Sequence, residues 1–335
     1  MTTTDDILQL LSKDTKSKIL KASDVSEEIL PTASYGLNKA IGGGLRLGKQ
    51  HTFWGGEGTG KSAFILQTVG INQARGVPCA WIDAENVFDP TWATRLGVDT
   101  NNLILAKQPT ISDLTDLQID LIKSGVGLIV IDSTGALWPK SFVDKTGGVK
   151  AFEDTAQLGQ MAKDLGQMCK MVQGINYTCA VVHISQQRVD VGSPAMNKPY
   201  KPIGGKEVEH ADSLRVRLTS PKSDDKQKKL KIHRGNVLME VNVGFPVTWI
   251  INKNRINGVQ EAGDYDFYRV SNPGFSGVDY SGELVDAAVS YGVIDKTGAW
   301  FNYNGEKWQG RDAAVARFRD DEEIREKVRA ELDAF

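Results

Sequence analysis

Short apolar runs punctuate the chain from about residue 36 to 252: His51–Trp54, Ala80–Asp83, Leu103–Ala106, Leu128–Asp132 and Cys179–Ile184. Helix-like stretches at about 61–74, 112–123 and 153–173 lie between them. Continuous apolar runs belong to strands buried on both faces, and a helix between strands is the crossover that parallel pairing requires. The pattern predicts an α/β fold with a mixed, mainly parallel sheet covered on both sides. Further on the helices drop out. Strands are expected at 214–218, 229–233, 237–243 and 247–252, with Arg234-Gly235-Asn236 as a turn, so this half is predicted to be antiparallel.

Both ends differ from this middle. Residues 4–22 predict an amphipathic helix, with Thr4 or Asp5 placed to cap it and Ile7, Leu10 and Leu11 on one stripe. A polar connection over 23–35 contains Pro31, and the stripe must dock on its own core or on another subunit. After about residue 270, Asn272-Pro273-Gly274 breaks the chain. A helix over Ser281–Tyr291, a hairpin turning at Asn304-Gly305 and two charged helices then predict a small α+β domain. The division expected is 1–35, an N-terminal oligomerisation helix and linker; 36–270, the main core; and 271–335, the C-terminal domain.

Composition narrows the class. With 335 residues, 40% hydrophobic and 24% charged, the chain can bury a large core and stay soluble. A net charge of −2 gives no global basic signature, which leaves a local basic groove as the only electrostatic route to nucleic acid. Cys79, Cys169 and Cys179 lack C-x-x-C spacing, and the first and last sit in strand-like runs, so buried free thiols are expected. His51, His183, His210 and His233 are scattered without zinc-site spacing, and no structural or catalytic zinc is expected. The acidic, polar start and the absence of a long apolar run predict a soluble protein of the cytoplasm, with no membrane partner.

The strongest chemical signal is GGEGTGKS, spanning Gly55, Gly56, Glu57, Gly58, Thr59, Gly60, Lys61 and Ser62. It follows an apolar strand and opens a helix, the context that a phosphate-binding loop requires. Its glycines let main-chain N–H groups curl around phosphates, and the helix N-terminus adds a favourable dipole. Lys61 is expected to reach the β- and γ-phosphates of ATP, and the Ser62 hydroxyl to ligate Mg²⁺. Asp132 ends an apolar strand, where a carboxylate faces the ligand crevice; it is either a water-mediated Mg²⁺ partner or an ordinary strand-end cap. Glu85, just past another strand, is placed to act as general base on water, and Asp83 competes for that role.

These residues resemble a known family, the RecA-type homologous recombinases, over about residues 32–330. The loop GGEGTGKS, including Glu57, is similar to the family's loop, and WIDAENVFDPTWATRLGVD (81–99) to its segment with the catalytic glutamate and adenine contacts. LIVIDSTGALWPK (128–140) resembles its metal-aspartate strand. YSGELVDAAVSYGVIDKTGAWFNYNGEKWQG (280–310) resembles a segment that helicases of the same core fold lack, which makes it the most discriminating match.

The resemblance implies a RecA-type P-loop ATPase core, with Glu85 ahead of Asp83 as base and Asp89 and Trp92 against the adenine. It implies that Gln186 senses the γ-phosphate, and that Lys253 and Arg255 reach the ATP of an adjacent subunit, as an arginine finger does. Two DNA-binding loops would fall at about 142–156 and 187–205, with Lys145, Lys150, Arg188, Lys198 and Lys201 on phosphates and Gly204 and Gly205 allowing close backbone approach. Basic residues of the C-terminal domain, Lys296, Lys307, Arg311 and Arg317, would guide duplex DNA in.

The chain departs from the family pattern at Arg255, where lysine is usual, at Ser185, where asparagine precedes the glutamine, and at His210, where an aromatic interface residue is expected. Its first loop is longer and it ends without a long acidic tail, features of a divergent member such as a phage carries, acting then in the host cytoplasm. The activity implied is ATP-dependent DNA recombination and repair: a filament on single-stranded DNA that exchanges strands with a homologous duplex. The rivals are a ring-forming DNA motor or helicase on the same core, and a regulatory assembly module that binds ATP and hydrolyses it slowly.

Overall fold

A computed structural model describes residues 3–14, 21, 28–108, 110–142, 159–190, 199–223, 226–234, 237–269 and 275–335. Helix α1 (Thr4–Asp14) leads. Its cap is Thr3, not Thr4 or Asp5: Thr3 Oγ1 accepts from Asp6 N at 3.2 Å and Asp6 Oδ2 accepts from Thr3 N at 2.8 Å, a reciprocal box. Then follow β1 (Ile29–Leu30), α2 (Tyr35–Ala40), β2 (Leu45–Arg46), β3 (Gln50–Gly55), α3 (Lys61–Gln73), β4 (Cys79–Asp83), α4 (Pro90–Arg95) and β5 (Leu103–Ala106). The core continues with α5 (Ile111–Lys123), β6 (Leu128–Asp132), α6 (Gln160–Ile175), β7 (Ala180–Val189), β8 (Tyr200–Pro202), α7 (Gly205–Ala211) and β9 (Asp212–Thr219). The antiparallel half holds β10 (Lys228–Arg234), β11 (Val237–Asn254), β12 (Ala262–Tyr268) and β13 (Gly277–Val278). Last come α8 (Tyr280–Ser290), β14 (Asp295–Thr297), β15 (Trp300–Tyr303), β16 (Glu306–Gln309), α9 (Arg311–Asp320) and α10 (Glu322–Asp333).

The main sheet runs β13-β12-β11-β9-β3-β7-β6-β4-β5, parallel from β9 to β5 and antiparallel beyond β9. Alternate residues of one strand enter opposite cores: Leu128 and Val130 of β6 pack with α2, α3 and α4, while Ile129 and Ile131 pack with α5 and α6. That double burial is why β3, β4, β6 and most of β7 read as unbroken apolar runs, whereas β5, equally apolar in sequence, is the outermost strand and is not buried on both faces. The expected strands at 237–243 and 247–252 are one strand, β11. Pro246 does not break it, because β10 pairs with β11 only up to Gly244 and β9 only from Thr248 onward. The missing N–H falls between the two partners on that side, while β12 pairs straight through Pro246. Of the expected turn, Gly235 and Asn236 lie outside the described residues, as does the break at 272–274. All three cysteines are buried free thiols, and burial pushes Cys79 and Cys179 up to about 12.

A third core, formed by α8, α9, α10 and the β14–β16 sheet, includes Leu284, Phe301, Phe318 and Leu332. Asn304 and Gly305 both adopt positive φ (46° and 85°), the turn that joins β15 to β16 with the twist their strands need. One carboxylate ties this unit to the main core. Glu283 of α8 accepts from Ser34 Oγ at 2.7 Å, Tyr35 N at 3.1 Å and Gly36 N at 3.3 Å, all at the N-terminus of α2. Burial pushes Glu283 up to about 8, and these three donors at a helix start oppose that rise by favouring its charged form. Glu283→Ala strands these donors and should cost about 2–3 kcal/mol in urea unfolding; a loss comparable to an exposed substitution would show that the clasp is incidental.

Candidate nucleotide site

Strand β3 delivers the loop Gly55–Ser62 to the carboxyl end of the parallel strands, where α3 begins at Lys61. Two glycines are steric requirements. A Cβ on Gly55 would lie 2.1 Å from the carbonyl oxygen of Leu218 on β9, and Gly60, ahead of α3, has φ of 81°. Within the loop, Thr59 Oγ1 donates to Gly56 O at 3.0 Å. Lys61 Nζ donates to Gly55 O at 3.3 Å and Gly56 O at 2.8 Å, so the ammonium sits inside the curl. Burial lowers the Lys61 pKa, and the charges of Asp132, Glu85 and Glu57 resist that shift.

Two strand ends, those of β4 and β6, bring acidic groups to the same place. Asp132, buried at the end of β6, is raised to about 6 by burial, while the Ser62 hydroxyl bonded to it and nearby Lys61 pull it down. Ser62 and Asp132 are thus in contact, as a shared metal environment requires. Glu85 is exposed beyond β4, and its Oε1 accepts from Ser133 Oγ and, at 3.2 Å, from Gln186 Nε2 on β7. Asp83 is buried and committed elsewhere: it accepts from Val87 N at 3.1 Å and Phe88 N at 2.9 Å, holding the turn after β4. Geometry therefore separates two carboxylates that the sequence leaves competing, since Asp83 is spent on main-chain donors and Glu85 faces the loop's surroundings.

Asp89 caps α4, with Oδ1 accepting from Thr91 N at 2.8 Å and Trp92 N at 3.2 Å, and Trp92 packs against the core beside α3. The pair occupies one short helix and its cap. On the opposite flank a cleft of about 760 Å³ is lined by Gly55–Thr59 together with Gln187, Arg217, Lys222, Phe245 and Arg269. Composition gave no hint of these flanking side chains, because strands far apart in sequence carry them. Ser133 was also missed, although a hydroxyl directly after a strand-end carboxylate was the available signal.

Lys253 and Arg255 lie elsewhere. Lys253 pairs with Arg215 on β9, which pairs with Thr52 on β3, so three residues and two strands separate it from Gly55. At about 3.3 Å per residue and about 4.8 Å per strand the separation is roughly 14 Å. Both side chains are tied at that far edge, Lys253 Nζ to Glu209 O and Arg255 Nη1 to His210 O at 2.9 Å. Neither meets the loop of its own chain. Arg188 and Lys201 are neighbours on paired strands β7 and β8, with Lys201 bound to Asp190 at 2.6 Å. Gly204 and Gly205 have φ of 122° and 71° at the entrance to α7. Lys145, Lys150 and Lys198 fall outside the described residues.

Comparison with known proteins decides the family. A model of the RecA N-terminal domain matches residues 3–244, and one of the RecA C-terminal domain matches residues 282–334. The chain belongs to the RecA family. Protein RecA of Sulfurimonas denitrificans is 31% identical over 329 residues, 95% of this chain and 89% of its own length. Protein RecA of Sulfurovum sp. is 30% identical over 306 residues, 90% of this chain and 82% of its own. At such identity this is a divergent RecA-type recombinase, and it carries the C-terminal unit by which a ring-forming motor was to be told apart. Among the described residues no helix is long and apolar enough to cross a membrane. The commitment of Asp83 to its turn makes a prediction for this RecA-family chain. Asp83→Ala should lose about 2 kcal/mol of stability and slow ATP turnover less than Glu85→Gln does. A larger turnover loss at unchanged stability would return the base to Asp83.

Proposed function

We propose that this RecA-family protein polymerises on single-stranded DNA in an ATP- and Mg²⁺-dependent manner and exchanges that strand with a homologous duplex, hydrolysing ATP as DNA stimulates it. The observation that carries the reading is the 3.2 Å contact between Gln186 and Glu85. It joins the water-activating carboxylate to the residue at the root of the second loop, so the state of the γ-phosphate and the order of that loop bias one another. In this scheme Lys61 and the loop amides hold the phosphates, and Ser62 with Asp132 holds Mg²⁺, the latter through water. The adenine lies at Asp89 and Trp92. Arg188, Lys201, Gly204 and Gly205, with Lys145, Lys150 and Lys198, take the DNA backbone, giving salt-dependent binding with little base preference.

Assembly is part of the chemistry. Lys253 and Arg255 lie too far from their own loop to neutralise its phosphates, which favours action on a second copy's ATP. Surfaces for a neighbour are present: Ile7 and Leu11 of α1 and Ile104 and Leu105 of the outermost strand β5 are 44–47% exposed. The parts proposed are 1–35 for oligomerisation, 36–270 for ATP and the DNA loops, and 271–335 for guiding duplex. In that last unit Lys296 and Lys307 are exposed, whereas Arg311 is paired with Asp286, and Arg317 with Glu306 and Asp321.

A strand-exchange assay with homologous and heterologous duplexes, with electron microscopy of the complexes, tests the whole. Helical filaments and exchange of the homologous duplex alone support it; closed rings or DNA-indifferent protein reject it. Lys61→Ala should abolish turnover and exchange together. Glu85→Gln should leave ATP-dependent filaments intact and slow hydrolysis by about tenfold or more, and full turnover in either variant would refute the residue's role.

A further inference from the structure

Three cations crowd the strand ends away from the phosphate loop. Arg215 on β9 faces Lys253 on β11 in register, and Arg255 follows two residues later. Crowded like charges oppose one another's ionisation. The Lys253 pKa is lowered first by burial and then by Arg255, and Asp212 opposes the fall. Asp212 lies at the start of β9, fully buried. Its Oδ1 accepts from Thr52 Oγ1 at 3.0 Å, and its Oδ2 is 3.1 Å from Arg215 Nε. Arg215 in turn reaches Glu209 Oε1 at 3.4 Å, beside the two α7 carbonyls that hold Lys253 and Arg255.

We propose that Asp212 is a positioning residue, whose buried carboxylate holds Arg215, Lys253 and Arg255 as one fixed cluster at the face that completes a neighbour's nucleotide site. The proposal rests on the reading that Lys253 and Arg255 act across the subunit contact. Asp212 contacts Arg215 directly and favours the charge on Lys253, and low local polarity magnifies both attractions. The dependence is mutual. Burial pushes Asp212 up to about 7 even though Arg215 opposes that rise, so the carboxylate's charge depends on Arg215 staying packed against it. Thr52 fixes the other side of Asp212 and lies on β3, three residues before the phosphate loop begins at Gly55. One strand thereby carries the chain's own phosphate loop at one end and orients the cations it offers to another at the opposite end.

The test compares Asp212→Asn, Lys253→Ala and the double variant in DNA-stimulated ATP turnover by the full chain. Asp212→Asn should cut kcat by about fivefold or more while KM for ATP stays within about twofold. Binding of a fluorescent ATP analogue to DNA-free protein should be unchanged. The double variant should be no slower than Lys253→Ala, since both changes remove one device. Asp212→Glu should recover part of the lost rate. If Asp212→Asn is too unstable to assay, Thr52→Val, which removes one of the carboxylate's two partners, should lower kcat by about twofold to threefold with KM unmoved. Normal kcat in the Asp212 or Thr52 variant beside a slow Lys253→Ala overturns the positioning role alone. Normal kcat in Lys253→Ala overturns the trans-acting cations, and an additive double variant shows that Asp212 acts independently of them.

Discussion

The site depends on how tightly β3 is held between β7 and β9. At Gly55 the strand passes so near the Leu218 carbonyl that no side chain fits, and the chain turns at once into the loop and α3. The same parallel register that fixes β3 sets the ends of β4, β6 and β7, so Glu85, Asp132 and Gln186 arrive around one helix N-terminus without further adjustment. A slip of one residue in any of these strands would turn its terminal side chain to the other face. Positioning here is a property of the sheet, and the loop inherits it.

Electrostatics then divide the acidic groups by environment. Burial disfavours charge on both Lys61 and Asp132, and each favours charge on the other, so the pair is ionised most readily together. Glu85 is exposed and held by a hydroxyl and an amide. Asp83 is buried and satisfied by main-chain N–H groups. The two carboxylates stand two positions apart in sequence and are held by unrelated partners.

The central strands were legible because burial on both faces leaves an unmistakable apolar run, as in Leu128–Ile131. The phosphate loop was legible because its spacing is itself the chemistry. Strand β11 was misread as two, since Pro246 signals a break unless one knows that β10 stops and β9 starts on either side of it. The choice between Asp83 and Glu85 came from family resemblance, and the hydrogen bonds that set the two apart are ones no local pattern encodes. Arg217, Phe245 and Arg269 stayed hidden because only tertiary pairing brings them to the loop. Function was legible where chemistry is local, and obscure where it is assembled across strands.

Lys253 and Arg255, at the strand ends opposite the phosphate loop, make the molecule directional. If those cations serve a neighbour's site as proposed, a row of such subunits would have two unlike tips: at one, a loaded pocket without donated cations, and at the other, cations with no pocket to meet. Fuel consumption per subunit would then climb with the length of the row and level off once tips are few. The terminal pocket, slowest to discharge, would keep its triphosphate longest and give growth and shrinkage a preferred end.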